Sequence, residues 1–238
     1  MTTIGIIGGT GRAGSGLGLL FAHAGHSVLL GSRDIARAGE VAETLVGANR
    51  DGELSITGTT YDKAAAADVV VLATPWQALA ETVRPIADLL AHKLVVSIVN
   101  PIERVDGKFV TPAVAAGSAA MSVAHWLPRS HVVAAFNNIP SMVYQQPLSQ
   151  INIDVLVCAE TQQSFDELVA LCVGVPGVRL WNAGDLTASV VIESMTTVLL
   201  NLNTRNKTTL GLSITSLTSP QSINLTSVEL TPDSATSQ

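Results

Sequence analysis

The sequence predicts an α/β fold, a doubly wound parallel sheet followed by a smaller C-terminal α/β domain. Two observations carry that prediction. Apolar runs of strand length recur as TIGIIG, SVLLG, DVVVLAT, KLVVSIV and HVVAAF, with helix-length amphipathic segments between them. That alternation marks βαβ units, and the unbroken apolarity of the strands marks a sheet buried on both faces. The rhythm then lapses at NIPSMVYQQPLSQ, Ile139 to Gln150, where Pro140 and Pro147 stand among polar residues, before resuming on a smaller scale. Turn-prone, polar composition of this kind marks a boundary between units.

The elements follow in chain order. The strand in TIGIIG leads into a helix over 12–24, and SVLLG leads into one over 34–47. A short strand in SITGTT, 55–60, adds to the sheet. DVVVLAT precedes a helix over 75–91, with Pro75 at its start, where a missing N–H costs nothing. KLVVSIV comes next, then a helix over 117–127, and HVVAAF closes the first unit. The second unit reads as strand DVLVCA, helix 162–173, strand VRLW and a long helix over 185–204. From Ser213 the chain turns Ser/Thr-rich and loses helical periodicity. The alternation in SITSL suits a short edge strand, and 218–238 reads as a poorly ordered tail.

Composition narrows the function. A chain of 238 residues that is 47% apolar can bury a proper core without staples. Its formal charge of -6, with no Lys/Arg cluster, argues against a nucleic-acid or membrane surface. Cys158 and Cys172 sit in apolar contexts without metal or disulfide spacing, and read as core thiols. The five histidines are scattered, so no metal site is expected. The N-terminus has no basic leader and no other apolar run has the length of a membrane span, so a cytoplasmic protein is expected. The sequons at Asn206 and Asn224 are then chance matches.

The opening stretch GIIGGTGRAGSGLG, Gly5 to Gly18, holds a GxGxxG pattern at Gly9, Gly11 and Gly14, after a strand and at a helix start. This is the Rossmann-type dinucleotide turn. Gly9 permits the tight turn, Gly11 lets the backbone approach a pyrophosphate, and Gly14 lets helix and strand pack closely. Thr10, Arg12 and Ala13 complete the loop, and the helix N-terminus offers unpaired amides to phosphate. A Walker A loop is excluded by the lack of a lysine beside Gly14. Gly18, one turn on from Gly14, also suits close packing, whereas Gly16 has no evident role.

The second strand ends in Gly31, Ser32 and Arg33, where an NAD-preferring fold carries an acid. A hydroxyl and a guanidinium fork suit a 2′-phosphate, which an acid would repel. Arg37 adds a second charge, and Asp34 reads as a helix cap. The expected cofactor is therefore NADP(H). Other strand ends deliver Ala73, Thr74, Pro75 and Trp76, then Asn100, then Asn137 and Asn138. Trp76 suits either the wall of a planar ligand or ordinary packing, and the three asparagines suit either ligand reading or turn formation. Glu193, Thr197, Asn201 and Arg205 form a polar stripe on the last helix, either a solvated face or the wall of a site.

Taken together, IGIIGGTGRAGSGLG, GHSVLLGSRD, ADVVVLATPWQAL, VVSIVNP, VVAAFNNIP, VLVCAE and VIESMTTVLLNLN resemble, in order from Ile4 to Leu217, the F420-dependent NADP oxidoreductases. That resemblance implies a Rossmann domain over 1–138 and a small domain over 139–217, which would hold the deazaflavin and the contacts of a homodimer. NADPH would contact Gly9, Thr10, Gly11, Arg12, Ala13 and Gly14 at the turn, and Ser32, Arg33 and Arg37 at the 2′-phosphate. Ala73, Thr74, Pro75 and Asn100 would lie along it. Coenzyme F420, as co-substrate, would meet Trp76, Asn137, Asn138, Ile139 and Glu193. Some relatives carry histidine where Asn137 stands.

The implied reaction is hydride transfer between two flat rings, which demands positioning and exclusion of water more than a reactive side chain. Asn137 and Asn138 are the candidate catalytic groups, as donors to the polar edge of the reduced ring. Two other readings stay open. An NADPH-dependent imine or carbonyl reductase would need a proton donor, for which Glu193 is the candidate, and a non-catalytic NADP(H)-sensing protein would need no second pocket.

Overall fold

The computed structural model describes residues 1–49, 54–215 and 217. The expected tail over 218–238 lies outside the described residues. Strands β1 (Thr3–Ile7), β2 (Ser27–Gly31), β3 (Ile56–Thr59), β4 (Val69–Leu72), β5 (Leu94–Ser97), β8 (His131–Ala134), β9 (Ile153–Ala159) and β10 (Val178–Asn182) form one sheet. Its order is β10-β9-β8-β5-β4-β1-β2-β3. All neighbours are parallel except β8 and β9, where Val133 faces Ala159 and Ala134 faces Cys158 in antiparallel register. From β1 the chain winds outward through β2 and β3, then returns to β4 on the other side. The crevice above β1 and β4 is thus the topological switch point, where such sheets take their ligands.

Helices α1 (Arg12–His23), α2 (Ile35–Ala48), α3 (Tyr61–Ala65), α4 (Trp76–Val83), α5 (Ala119–Trp126), α6 (Gln162–Cys172) and α7 (Ser189–Asn206) cover the sheet. Its central strands are buried at every residue of β4 and β5. Side-chain alternation sorts them into two layers: Ile4 and Ile6 join Leu17, Phe21 and Leu168 on one face, while Ile7, Val70 and Leu72 join Leu79 and Val123 on the other. The first of these layers also contains Val157 and Leu180, so the C-terminal α/β portion extends the same sheet and shares its core.

Several expectations need revision. The helix expected over 75–91 is α-helical only to Val83 and continues as a 3-10 helix over Arg84–Leu90. Pro85 has no N–H for the carbonyl four residues back, so the regular ladder stops there. A hairpin of β6 (Glu103–Val105) and β7 (Lys108–Val110) and the short α3 carry too few residues to show a period, and were not expected. In SITSL no strand forms among the described residues; instead the Ile214 N–H donates to Asp154 Oδ2 at 2.9 Å. Asp154 is also held by the Arg179 fork at 2.7 and 2.8 Å and by the Trp181 indole N–H at 2.7 Å.

Gly16 acquires a role from the connection at 139–150. Tyr144, only 3% exposed, lies on α1 at that point, and a Cβ on Gly16 would sit 2.4 Å from the Tyr144 Cβ. The polar stripe of α7 also turns inward: Glu193 and Thr197 are buried, and Asn201 exchanges two hydrogen bonds with the backbone of Phe109 in β7. A solvated face is therefore not the explanation, except at exposed Arg205. Contrary to the expectation from apolar runs, the segment Leu186–Asn206 is long and apolar enough to cross a membrane, with a mean hydropathy of 1.2. Its polar stripe is spent on contacts to α5 and β7.

Candidate functional site

A cleft of about 600 Å³ opens over the C-terminal ends of β1, β2, β4 and β5. Its floor is the glycine turn. The left-handed residue there is Gly8, at φ +87°, one position before the start of the GxGxxG pattern. Gly9, expected at the tight turn, instead packs under β2, where a Cβ would lie 2.8 Å from Leu30 Cα. Gly14 brings α1 onto the turn, since a Cβ would lie 2.7 Å from the Gly8 carbonyl oxygen. Gly11 is the N-cap of α1 and contributes no side chain, so no capping group covers the amides of Arg12, Ala13 and Gly14. These have no intrahelical acceptor and place the positive end of the helix at the cleft, the arrangement that suits an anion. Thr10, Gly11, Arg12 and Ala13 line the cleft; Gly9 and Gly14 shape it from behind.

At one end stand Ser32, Arg33 and Arg37. Asp34 is the N-cap of α2, its Oδ1 accepting from the Arg37 N–H at 3.1 Å, while Ser32 Oγ accepts from the Asp34 N–H at 3.1 Å. Each acceptor is thus used locally, and the Ser32 hydroxyl still has a proton to donate. Arg33 and Arg37 are exposed, and neither has a carboxylate partner among the described residues. Tyr61 of α3 lines the same end; it stands one residue beyond the SITGTT strand with no pattern around it, and sequence reasoning missed it.

At the other end, Ala73, Thr74, Pro75, Trp76 and Asn100 line the cleft. Asn100 Nδ2 donates to the Asn137 carbonyl at 2.9 Å and Asn137 Nδ2 donates to the Val99 carbonyl at 3.0 Å, a reciprocal clasp between the ends of β5 and β8. Thr196 of α7 donates to the same Asn137 carbonyl at 2.8 Å. Buried and without partners are Thr74 Oγ1, Asn100 Oδ1 and Asn137 Oδ1. Unmet acceptors of this kind are costly unless a ligand supplies donors. Phe136, held at φ +61°, turns the chain between β8 and the clasp, a strained conformation for a bulky residue.

Four residues expected to meet the deazaflavin do not line the cleft. Asn137 was expected to donate, yet its amide nitrogen is turned to Val99 and the oxygen is the atom left over, so it presents an acceptor. Asn138 is a strut: its Nδ2 donates to the Asp154 carbonyl at 2.7 Å and its Oδ1 accepts from the Leu156 N–H at 3.3 Å, tying the end of β8 to β9. Ile139 packs against the core rather than lining the cleft. Glu193, 1% exposed, accepts from the N–H groups of Ala119 at 2.7 Å and Ala120 at 3.0 Å, so it caps α5. Burial pushes its carboxyl up to about 7, against these two bonds, which favour the ionised form. No cluster able to hold a metal exists among the described residues.

The cleft's features fit a dinucleotide: uncapped amides for a pyrophosphate, two unpaired guanidinium groups for a further phosphate, and orphaned acceptors for an amide-bearing ring. Comparisons agree. Residues 3–101 match the family described as NADP oxidoreductase, coenzyme F420-dependent. The F420-dependent NADP reductase of Methanothermobacter thermautotrophicus is 36% identical over 220 residues, covering 90% of this chain and 95% of that protein. That of Methanocaldococcus jannaschii is 33% identical, covering 90% and 98%. Among solved structures, a candidate F420-dependent NADP reductase from Arthrobacter sp. FB24 superposes with TM-score 0.75 at 20% identity, over 90% of this chain and all of that one. An imine reductase of Bacillus cereus shares the fold more loosely, at TM-score 0.59 and 14% identity over 87% of this chain and 63% of that one.

Proposed function

This chain belongs to the coenzyme F420-dependent NADP oxidoreductase family, and on that premise we propose that its cleft binds NADP(H) along the switch point and aligns it with F420 beneath α7. The protein is an oxidoreductase that exchanges hydride between NADPH and F420. When bound, the deazaflavin supplies the hydride-accepting carbon. The chain's own residues bind, orient and exclude water, an arrangement that can account for about 7–11 kcal/mol of a barrier.

Residue roles follow from what each group has free. Thr10, Gly11, Arg12 and Ala13 hold the pyrophosphate on uncapped amides, with Gly9 and Gly14 keeping the turn tight. Ser32, Arg33 and Arg37 hold the 2′-phosphate. Thr74 and Asn100 accept hydrogen bonds from the nicotinamide side, with Ala73, Pro75 and Trp76 as walls. Asn137 orients Asn100 through their clasp, and Glu193 and Asn138 position rather than touch the reactants. On this reading 1–138 carries the dinucleotide, and 139–217 closes the deazaflavin side. The observation that carries the reading is one cleft holding both the uncapped α1 amides and the two unpaired guanidinium groups.

An imine or carbonyl reductase is disfavoured, since Glu193, the candidate proton donor, is committed to α5. A homodimer is supported by α7, whose outer face leaves Val191, Val198 and Leu202 exposed by 64%, 56% and 40% at helical spacing. A cytoplasmic location is supported by two buried cysteines, neither in a disulfide. Mixing the protein with NADPH and oxidised F420 tests the function: the coenzyme's visible absorbance bleaches. NADPH binding without bleaching would overturn the reading.

A further inference from the structure

Trp76 has two sides. One walls the dinucleotide cleft, and the other walls a second cavity of about 530 Å³ between α4 and α5. We propose that this second cavity grips the acidic tail of the deazaflavin substrate, and so sets specificity for tailed over tailless forms. The inference rests on the F420 reading above. F420 carries, on its ribityl chain, a phosphate followed by glutamate residues, and the cavity offers what such a chain needs.

Trp76 opens α4 and Arg84 follows its last residue, at the start of the 3-10 helix, and α5 brings His125 and Trp126 to face them. The Arg84 guanidinium lies 4.9 Å from the centre of the Trp126 ring. A guanidinium over an indole is oriented by the ring's electrons while its N–H edges stay available for a carboxylate or phosphate. Among the described residues the ion pairs are Arg129 with Asp88 and Arg179 with Asp154, so Arg84 has no acid of its own. The cavity lining also contains no acidic side chain, in a chain whose net charge is -6. The small side chains of Ala113, Ala115, Ala116 and Ser122, with Val114, form the remaining wall and keep it wide.

The nucleotide does not account for this site. Its pyrophosphate is met by the α1 amides and its third phosphate by Arg33 and Arg37, all in the cleft on the other side of Trp76. A further anion therefore belongs to the other reactant. Phosphate and carboxylate share the chemistry that Arg84 and His125 would recognise.

Three acceptors separate the contributions: the tailless deazaflavin alcohol, the form with phosphate but no glutamate, and the glutamylated coenzyme. Kd is read from quenching of each deazaflavin's fluorescence, and KM and kcat from bleaching with NADPH. Wild type should bind tailed forms more tightly than the alcohol. Arg84→Ala should raise Kd and KM for tailed forms about tenfold, equivalent to ~1.4 kcal/mol, with the alcohol within about twofold. Arg84→Lys should recover part of the loss, and His125→Ala should give a smaller change of the same selectivity. Loss already present with the phosphate form assigns the grip to phosphate; loss only with the glutamylated form assigns it to carboxylates. Equal changes for all three acceptors, or no change in any variant, would overturn the proposal while leaving hydride transfer intact. Failure of wild type to bleach any of the three would instead overturn the functional reading itself.

Discussion

Removing the Arg33 guanidinium is the most direct challenge to the cofactor assignment. Arg33 is exposed at the cleft end, has no acidic partner among the described residues, and shares that end with Ser32 and Arg37. A charge-assisted bond contributes about 1.5–3 kcal/mol where water is excluded. At this open rim, screening reduces it to about 1–2 kcal/mol. Arg33→Ala should therefore raise KM for NADPH about 5- to 30-fold. NADH has no 2′-phosphate, so its KM should shift by less than about twofold on the same reasoning. Steady-state kinetics with F420 as acceptor read both, and added salt should mimic the variant for NADPH alone. If Arg33→Ala changes NADPH and NADH equally, the 2′-phosphate does not sit there.

Three other perturbations follow from the long-range contacts. Burial raises the Glu193 carboxyl to about 7, so the native state holds its proton more tightly than the unfolded chain. Stability is then fully present below pH ~4.5 and falls as pH rises through about 7, by at most about 3 kcal/mol. Glu193→Gln should flatten Tm across that window, and parallel Tm profiles would contradict it. Asp154 runs the other way: burial would raise it, but Arg179, the Trp181 indole N–H and the Ile214 N–H together hold it at about 2. Its contribution is present above pH ~3.9 and lost as pH falls through about 2, a dependence that Asp154→Asn should abolish in acid denaturation. On the outer face of α7, Val198→Lys should halve the mass seen by sedimentation; an unchanged mass would remove α7 from the dimer contact.

Much of the fold was legible because it is written locally. Strand and helix periods need only neighbouring residues, so the eight strands of the sheet and the six longer helices could be located, with the helix at 75–91 cut short by Pro85. The glycine turn and Ser32–Arg33 were legible for the same reason: a strand end followed by a helix start places its residues wherever the element points. Short pieces such as β6, β7 and α3 escaped because three to five residues do not establish a period.

By itself the sequence determined the doubly wound class of the sheet, the site of the dinucleotide turn and the basic residues at its end. The tertiary structure decided what the remaining polar groups do. Glu193 caps a helix that starts 74 residues earlier, Tyr144 gives Gly16 its reason, and Asn137 turns its nitrogen inward and leaves its oxygen free. A carboxylate, a glycine or an amide has several satisfactory partners in principle. Which one it meets depends on how distant faces pack, and nothing in the residue's own neighbourhood carries that information.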